Sequence, residues 1–440
     1  MASVVVVGAG IAGLGCAWRL QQAGHDGEVL EREKTPGGRM RSERRGDYIL
    51  DRGAQFIASG YRNLHQVADS LGIGQRIENI ACTRNAILRD GKLRAGDYDS
   101  LGEFLRSDLL SARAKARLPR ILFQILRHRR RLDPLHPEKA ADMDRDDMAR
   151  YLRRVVGEEA LEYLFAPAFS STFDSDPEEL SGAFALLAIR FLACGFRLQC
   201  FQGGGGVLTR TLADRLSVRV GWEASAVETE AGGARVRYLA PGGERSVIAD
   251  AAVVALPGSL VARLCPGLSE AEHGFFEQVR YVRGIIAHLL LGEPPETLPY
   301  YGVAFPRREG LDLYGMAVDH HKPGVAPEGA GLVNAALTSS AAAELFEAPD
   351  QAVIDCVLGE FARTPIGRLD PVDAVVHRWD PMLPQFHAGY LRHLRDFLGR
   401  SQRTPRLAFA GDYLVGPYTE AALTSGLRAA DEIVRLLGES

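Results

Sequence analysis

Lysine is scarce in this chain of 440 residues, and its scarcity restricts the chemistry that the protein can use. The only lysines are Lys34, Lys92, Lys115, Lys139 and Lys322. A catalytic lysine, such as one that forms a Schiff base, would have to be one of these five. The formal net charge of −4 gives no reason to expect nucleic acid as a partner.

The chain also lacks paired cysteines and long apolar runs. Its six cysteines are scattered with no C-x-x-C pair, so we expect neither a metal site nor a disulfide framework, and a reducing compartment fits. No apolar run reaches the roughly 18 residues of a membrane-spanning helix. A strand starts by Ser3 or Val4, which leaves no room for a signal peptide. These absences predict a cytoplasmic protein.

What is present at the start of the chain is a nucleotide-binding pattern. Val4–Val7 is a β-branched run typical of a buried parallel strand, and residues 14–23 read as a helix. The glycine-rich turn between them fits the approach of a pyrophosphate to a helix N-terminus. The predicted contacts in the turn are Gly8, Ala9, Gly10, Ile11, Ala12 and Gly13.

The next residues distinguish one dinucleotide from another. Glu31 lies 18 residues beyond Gly13, where a carboxylate accepts hydrogen bonds from ribose hydroxyls and repels a 2′-phosphate. We include the adjacent Arg32 in this contact. In the following Gly37-Gly38-Arg39, the glycines allow a close backbone approach and the guanidinium binds phosphate oxygens.

With these motifs the chain resembles the flavin amine oxidase superfamily, which includes monoamine and polyamine oxidases, renalase-like enzymes, protoporphyrinogen oxidases and carotenoid desaturases. The family pattern continues with D-x-G-A, present here from Asp51 to Ala54. The resemblance implies FAD as cofactor and an α/β protein. Its Rossmann-like FAD-binding domain would carry an inserted α+β substrate domain, a mixed sheet covered by helices. It places Gly53, Ala54, Gln55 and Phe56 beside the flavin ring and Ala224 beside the adenine.

The C-terminal segment resembles the family as well. A predicted strand ends in Gly411-Asp412, which in the family contacts the FAD ribityl chain or phosphate. The helix that starts after Tyr418 would point its N-terminus, with Thr419 and Ala422, at the flavin N1–C2=O edge. A helix N-terminus stabilises the anionic reduced flavin. No cysteine follows Cys356 to attach the flavin covalently, so acid precipitation should release all the FAD.

A second dinucleotide fingerprint is missing. The glycine run at residues 203–206 lacks the G-x-G-x-x-G spacing, because Leu208 stands where the third glycine belongs. We therefore expect no separate NAD(P) domain, and oxygen or a quinone should accept the electrons.

The cofactor motifs and the patterns between them predict two discontinuous domains. Residues 1–95, 203–275 and 400–440 should form the FAD-binding domain, and residues 96–202 and 276–399 the substrate domain. The first inserted segment has helical spacing over residues 101–126 and 145–165. The second alternates as strands do at residues 284–291, 303–306, 312–318, 331–338 and 374–379.

Two residues are candidates for catalysis. Tyr418 stands where monoamine oxidases carry one tyrosine of the aromatic pair that flanks the amine. The lysine that those enzymes bridge through water to flavin N5 aligns with His288. The absence of a lysine on this strand speaks against simple amine oxidation.

The resemblance implies an FAD-dependent oxidoreductase that transfers a hydride from a substrate C–H to flavin N5. Residues 378–386 resemble the W-x-x-x-x-P-x-[YF] stretch of protoporphyrinogen oxidases, which favours a cyclic or conjugated small molecule, including secondary metabolites, as substrate. Two alternatives stay open: an amine oxidase that produces hydrogen peroxide, and a non-catalytic flavin-binding scaffold.

The segment 111–132 has many basic residues and no acidic one. Its cations are Arg113, Lys115, Arg117, Arg120, Arg127, Arg129, Arg130 and Arg131. Apolar residues interleave with them, as in helices that lie on anionic membranes. We favour a solvated helix face, and keep a peripheral membrane contact and recruitment of a carboxylated substrate as alternatives.

Overall fold

The structure, a computed structural model, describes residues 1–82, 84–96, 101–193 and 197–438. One of the six cysteines, Cys194, lies outside these ranges. Among the described residues, no helix is both long and apolar enough to cross a bilayer.

The strands are, in chain order, β1 (Ser3–Val7), β2 (Asp26–Glu31), β3 (Ser42–Arg45), β4 (Tyr48–Asp51), β5 (Ile57–Ala58), β6 (Ile77–Asn79), β7 (Asn85–Arg89), β8 (Lys92–Gly96), β9 (Leu198–Phe201), β10 (Ser217–Val220), β11 (Glu223–Glu230), β12 (Gly233–Ala240), β13 (Gly243–Ala249), β14 (Ala251–Val254), β15 (Gly284–Leu291), β16 (Gly302–Ala304), β17 (Leu313–Val318), β18 (Gly331–Leu337), β19 (Pro371–Trp379) and β20 (Leu407–Phe409).

The helices are α1 (Ile11–Gln22), α2 (Arg62–Ser70), α3 (Leu101–Arg106), α4 (Ala112–Lys115), α5 (Pro119–His128), α6 (Met148–Val155), α7 (Glu158–Ala160), α8 (Ala166–Phe173), α9 (Gly182–Ala193), α10 (Gly206–Ala213), α11 (Gly258–Leu264), α12 (Glu270–Phe276), α13 (Ser339–Leu345), α14 (Asp350–Ala362), α15 (Tyr390–Leu398) and α16 (Thr419–Gly438). A π-helical turn, Leu161–Phe165, joins α7 to α8.

A five-stranded parallel sheet in the order β10-β2-β1-β14-β20 forms one half of the protein. Val4–Val7 of β1 are buried, as a central strand covered on both faces requires. Helices α1 and α16 pack together beside this sheet. A Cβ at Gly426 would stand 2.0 Å from the carbonyl oxygen of Ala12, so only glycine permits this contact. This arrangement confirms the predicted α/β class with its Rossmann-like unit.

A seven-stranded mixed sheet in the order β19-β15-β18-β17-β16-β7-β8 forms the other half. It contains a strand at each of the five positions predicted between residues 284 and 379. Across its middle, Ile286 pairs with Ala336, and Ala336 pairs with Gly315. Helix α8 lies against this row, because a Cβ at Gly315 would stand 2.8 Å from the Cβ of Ser171.

The division into two discontinuous domains stays a prediction. The five-stranded sheet draws its strands from the three segments assigned to the FAD-binding domain. The hairpin of β7 and β8 falls, except for Gly96, within the predicted segment 1–95, but it pairs in the seven-stranded sheet.

The helical pattern over residues 101–126 is interrupted in the structure, where it forms α3, α4 and α5. The Ser111 side chain accepts a hydrogen bond from the Ala114 N–H and caps a new helix start. Pro119 then occupies the first turn of α5, because proline has no N–H to continue a preceding helix. Apolar spacing survives such breaks, which explains why the pattern did not reveal them.

Asp144 holds two helix starts from a buried position between α9 and α15. Its carboxylate accepts hydrogen bonds from the Ser181 hydroxyl (2.6 Å) and from the Leu391 N–H (2.7 Å). Removal of the carboxylate leaves two buried donors without a partner, and each costs about 1–3 kcal/mol. We therefore expect Asp144→Ala to lower the free energy of unfolding by about 2–4 kcal/mol, measured by urea denaturation.

Asp142→Ala is the matched control, since Asp142 is exposed and, among the described residues, its ion pair is a surface contact with Arg395. Its effect should stay within about 0.5 kcal/mol. Equal effects of the two substitutions would contradict the capping role of Asp144.

Candidate cofactor and substrate site

A cavity of about 940 Å³ runs from the carboxyl ends of β1 and β2 to the seven-stranded sheet. It is lined by every predicted cofactor residue except Ala9 and Gly13: Gly8, Gly10, Ile11, Ala12, Glu31, Arg32, Gly37, Gly38, Arg39, Gly53, Ala54, Gln55, Phe56, Ala224, Gly411, Asp412, Thr419 and Ala422. Residues that lie far apart in the chain therefore meet at one cavity.

The glycine-rich turn has the shape that a pyrophosphate requires. Gly8 has a φ of +104°, and Gly13 lies so close behind it that an added Cβ would stand 1.9 Å from the Gly8 carbonyl oxygen. At Gly10, by contrast, a Cβ would meet no protein atom within 4 Å, because Gly10 faces the cavity. The turn is closed on its protein side and open on its ligand side.

Glu31 is fixed at the edge of the cavity by backbone amides. One carboxylate oxygen accepts the Ala9 N–H at 2.8 Å, and the other accepts the Glu33 N–H at 2.8 Å. Carboxylate oxygens have further lone pairs, so the group remains able to accept ribose hydroxyls from the cavity. Ala9 thus orients the acid and does not itself line the cavity.

An ion pair joins the N-terminal motif to the C-terminal one. The Arg39 guanidinium lies 2.7 Å from the Asp412 carboxylate and also donates to the Met382 carbonyl at 2.6 Å. The Tyr281 hydroxyl donates to the other Asp412 oxygen at 3.0 Å. Both charged residues line the cavity, so this cluster sets the distance between the two motifs.

The start of α16 has an unsatisfied group at the cavity. The Thr419 hydroxyl is buried and has no hydrogen-bond partner among the described residues. A hydroxyl beside a helix N-terminus suits an electron-rich carbonyl edge such as N1–C2=O of a flavin. With the open face of Gly10 and the fixed carboxylate of Glu31, the residues fit FAD, whose isoalloxazine ring accepts a hydride when it is bound.

A sequence model of the flavin containing amine oxidoreductase family matches residues 11–434. The chain belongs to this family. It is an FAD-dependent oxidoreductase, as the motifs predicted, and the reading as a non-catalytic scaffold is not retained.

The chain is similar to individual curated proteins and solved structures, with low sequence identity in each case. Coproporphyrinogen III oxidase of Bacillus subtilis is 21% identical, with 94% of this chain and 93% of that protein aligned. A putative protoporphyrinogen oxidase from Exiguobacterium has a TM-score of 0.79 at 19% identity, covering 99% of both chains. Cyclohexylamine oxidase from Brevibacterium oxydans has a TM-score of 0.78 at 17% identity, again with 99% of both chains covered. The family fold is shared, while the individual contacts to FAD remain predictions.

Three aromatic rings form one wall of the cavity beyond the flavin motifs. Tyr418 stacks on Tyr61 with 5.8 Å between ring centroids, and Phe191 completes the group at 6.3 Å from Tyr418. The Tyr418 hydroxyl donates to the Pro134 carbonyl at 2.8 Å, so its ring is fixed. Burial raises the pKa of Tyr418, which keeps the hydroxyl neutral. Tyr61 was missed because no spacing relates it to Tyr418.

His288 is fully buried and is absent from the residues that line the cavity. Two positions earlier on the same face of β15, Ile286 lines the cavity instead. Both ring nitrogens of His288 lack hydrogen-bond partners among the described residues, and burial lowers its pKa to about 3. The imidazole is therefore neutral. No contact with the cavity supports the predicted catalytic role of His288, which stays a prediction.

Lys322 is a charged residue behind the cavity that sequence patterns did not single out. Its buried ammonium lies 2.6 Å from the Asp319 carboxylate and donates to the Gln55 side-chain oxygen at 3.2 Å. Asn334 donates to the same Gln55 oxygen at 3.0 Å. Gln55 and Asn334 line the cavity, so Lys322 orients the groups that face the ligand.

The open space at Gly10 yields a direct test of the cofactor position. A methyl group there meets no protein atom within 4 Å but occupies the approach to the pyrophosphate. We expect Gly10→Ala to weaken FAD binding by about 100-fold, measured by fluorescence titration of the apoprotein, while the apoprotein melts at an unchanged temperature.

Gly274→Ala is the control, because Gly274 also has no neighbour within 4 Å and lies on the exposed side of α12. If Gly10→Ala binds FAD as tightly as this control, the turn does not hold the pyrophosphate.

Proposed function

We propose that the protein oxidises a C–H bond of a bulky cyclic nitrogen compound that carries carboxylates, of the porphyrinogen type, and that the hydride passes to FAD. The observation that supports this most is the combination of an apolar chamber with an arginine cluster at its mouth. The chamber admits an uncharged ring system, and the cluster attracts carboxylates at its periphery.

The chamber is built by α8 and α9. These helices contribute aromatic and aliphatic side chains to the cavity wall: Phe169, Phe173, Phe184, Leu187, Phe191 and Leu192. Phe173 makes edge contact with Phe184 at 5.3 Å and tilts against Phe169 at 5.7 Å. Broad aromatic surfaces of this kind favour a flat, conjugated substrate over a short aliphatic one.

The mouth of the chamber lies at the end of α9. Leu192 both lines the cavity and is 49% exposed, which supports an opening of the cavity at this point. The Arg190 guanidinium on the same helix donates to the carbonyls of Arg129 and Leu132. Pro134, just beyond this segment, lines the cavity. The exposed arginines Arg127, Arg129, Arg130 and Arg131 belong to the stretch that contacts α9 through these carbonyls, and in this proposal they attract carboxylated substrates to the mouth.

The names of similar proteins agree with this proposal. The Bacillus relative is a coproporphyrinogen III oxidase, and the Exiguobacterium structure is a putative protoporphyrinogen oxidase. At about one-fifth identity these names do not fix the substrate of this chain, so the proposal depends on the chamber and the arginine cluster.

Amine oxidation is the second candidate. Its support is the stacked pair of Tyr61 and Tyr418, together with the similar fold of cyclohexylamine oxidase. The cavity-facing position of β15 carries Ile286 and no lysine, which speaks against it. Hydrogen peroxide release with a panel of amines, and none with porphyrinogens, would replace the first proposal by this one.

Oxygen or a quinone is the electron acceptor in this proposal, and anaerobic turnover with a soluble quinone distinguishes the two. A cytoplasmic location also remains a proposal. All the described cysteines are free thiols, which agrees with a reducing compartment. Proteomics of separated cell fractions would test the location.

The proposal predicts that coproporphyrinogen III bleaches the flavin absorbance of the purified protein under anaerobic conditions. The triple substitution Arg129→Gln, Arg130→Gln and Arg131→Gln should lower kcat/KM for this tetracarboxylate by about tenfold at low salt, because three attractive charges leave the mouth. The difference in kcat/KM between wild type and variant should shrink at high ionic strength, because salt screens the attraction between the arginines and the carboxylates.

Arg245→Gln, an exposed arginine on β13, is the control and should leave kcat/KM unchanged. A flavin that stays oxidised with both coproporphyrinogen III and protoporphyrinogen IX would refute the porphyrinogen proposal.

A peripheral membrane contact through residues 111–132 also remains a proposal. One face of α5 packs inward through Ile121 and Ile125, and the other exposes Leu122, Phe123 and Leu126 among the arginines. An exposed apolar strip with cationic neighbours suits the surface of an anionic bilayer. The helix that carries this strip packs against α9, and other residues of α9 line the chamber.

We expect the protein to float with vesicles that contain phosphatidylserine, and to lose most of this binding in the variant Leu122→Ser, Phe123→Ser and Leu126→Ser. Ile248→Ser removes an exposed apolar side chain on β13 and serves as control. Flotation that is equal for all three proteins, or absent for the wild type, would leave α5 as a solvated helix.

A further inference from the structure

Asp174 has a backbone conformation that residues other than glycine rarely adopt. It ends helix α8 with φ 49° and ψ 37°, in the left-handed region. Its N–H donates to the Ser170 carbonyl at 2.9 Å, and its own carbonyl accepts the Ser339 hydroxyl at 3.3 Å. A left-handed residue commonly closes a helix, and aspartate adopts this conformation more readily than most other residues apart from glycine.

The carboxylate of Asp174 lies at the cavity wall and has no protein partner among the described residues. The residue is 8% exposed and lines the cavity, and no described residue forms a hydrogen bond or ion pair with either carboxylate oxygen. The other described buried carboxylates all have such partners: Glu31, Asp51, Asp144, Glu162, Glu272, Asp319, Glu360, Asp412 and Glu420. A carboxylate that is largely shielded from water, opens onto a cavity and has no protein partner is costly for the fold, so its retention here points to a ligand.

Asp174 belongs to the substrate half of the cavity. One turn before it on α8, Ser171 lies against Gly315, whose row across the sheet continues to Ala336 and Ile286. Ile286, Ala336 and the nearby Asn334 line the cavity on the side of the seven-stranded sheet. Asp174 is therefore next to the aromatic chamber and remote from the residues that hold the adenine end.

No positive charge balances Asp174 within the chamber. Among the described cavity-lining residues of α8, α9, β15 and β18, none is lysine, arginine or histidine. Burial raises the pKa of Asp174 to about 7. A carboxylate in such surroundings strongly favours a ligand that donates N–H groups or carries a positive charge.

We propose that the Asp174 carboxylate anchors the nitrogen of the substrate by accepting hydrogen bonds from an ammonium group or from pyrrole N–H groups. This inference depends on the proposed function only in requiring a nitrogen compound. It gives the chamber a polar contact that orients an otherwise apolar ring before its C–H bond reacts.

The elements around Asp174 carry other titratable and charged groups that bear on its ionisation. They are Glu162 and Tyr163 before α8, Asp176, Glu178 and Glu179 after it, Arg190 on α9, Tyr314 on β17 and Glu344 on α13. Tyr314 donates to Asp176 at 3.2 Å, and Arg307 pairs with Glu162 and Glu178. Burial alone accounts for the raised pKa of Asp174.

The test is Asp174→Asn in the FAD-loaded enzyme, because asparagine tolerates left-handed backbone and keeps the side-chain shape. Asp90→Asn is the matched control, since Asp90 also has positive φ but is exposed outside the cavity. The probes are cyclohexylamine and its neutral analogue cyclohexanol, titrated by changes in the flavin spectrum.

Cyclohexylamine stays protonated between pH 6 and 8, whereas a carboxyl with a pKa of about 7 ionises across this range. Its affinity for the wild type should rise about tenfold from pH 6 to 8. Asp174→Asn should abolish that rise and weaken amine binding about tenfold at pH 8, with cyclohexanol binding unchanged. Its kcat/KM for coproporphyrinogen III should fall while Asp90→Asn remains at the wild-type value.

Stability separates a binding role from a structural one. The folded pKa of Asp174 lies above the unfolded value of about 3.9, so its destabilising effect appears as pH rises from about 4 and is complete above 7. Asp174→Asn should therefore melt at a higher temperature than the wild type at pH 8 and at an equal temperature near pH 4. A lower melting temperature at both pH values would assign Asp174 a structural role and overturn the proposal.

The two proposals fail in different ways. If amines bind in an Asp174-dependent manner but no porphyrinogen reduces the flavin, the proposed substrate is wrong and the anchor stands. If coproporphyrinogen III is oxidised equally well by Asp174→Asn and the wild type, the anchor is wrong and the proposed function stands.

Discussion

The ion pair between Arg39 and Asp412 is the contact on which the site depends. The two residues are separated by most of the chain, and their 2.7 Å contact fixes the glycine-rich segment beside the end of β20. Tyr281 binds the second Asp412 oxygen and also accepts the Gly258 N–H at 3.1 Å, which extends the cluster to the start of α11. A partly buried, hydrogen-bonded pair of this kind sets geometry more than it adds stability, because both groups lose water on burial.

The cavity that results has two halves of different electrostatic character. At the nucleotide end, helix N-termini, backbone amides and Arg39 meet, which suits phosphate oxygens. At the substrate end, aromatic rings dominate and Asp174 is unpaired. The buried Lys322, which donates to Gln55 from behind the cavity wall, is neutralised by Asp319. On the wall formed by α8 and α9, Asp174 is the charged residue among the described cavity-lining ones, and in our proposal it favours ligands that donate N–H groups or carry a positive charge.

Sequence patterns predicted the parts of the site that depend on local backbone geometry. A β-carbon at Gly10 would occupy space left for the ligand, and Gly37 has a positive φ that disfavours other residues. Glu31 lies within the same βαβ unit as Gly10, so short-range rules are enough to find all three. Asp174 and Tyr61 reach the cavity through helix packing, and Lys322 acts on it from behind through Gln55. Short motifs do not encode these contacts. The alignment chose His288 on β15, but the cavity touches this strand at Ile286. Residues two positions apart on a strand point to the same face of the sheet but lie at different places along the strand, so Ile286 lines the cavity while His288 does not.

Helices α1 and α16 show why the ends of the chain act together. Their first turns both line the cavity, through Ile11 and Ala12 on one helix and Thr419 and Ala422 on the other. Gly426 lets the backbone of α16 touch Ala12, so the two helix starts are held close together by direct backbone contact. In the predicted position of FAD, the positive ends of both helix dipoles would act on this one ligand, one near the phosphates and one near the ring that gains electrons. A side chain at Gly426 would separate the helices and weaken both interactions at once.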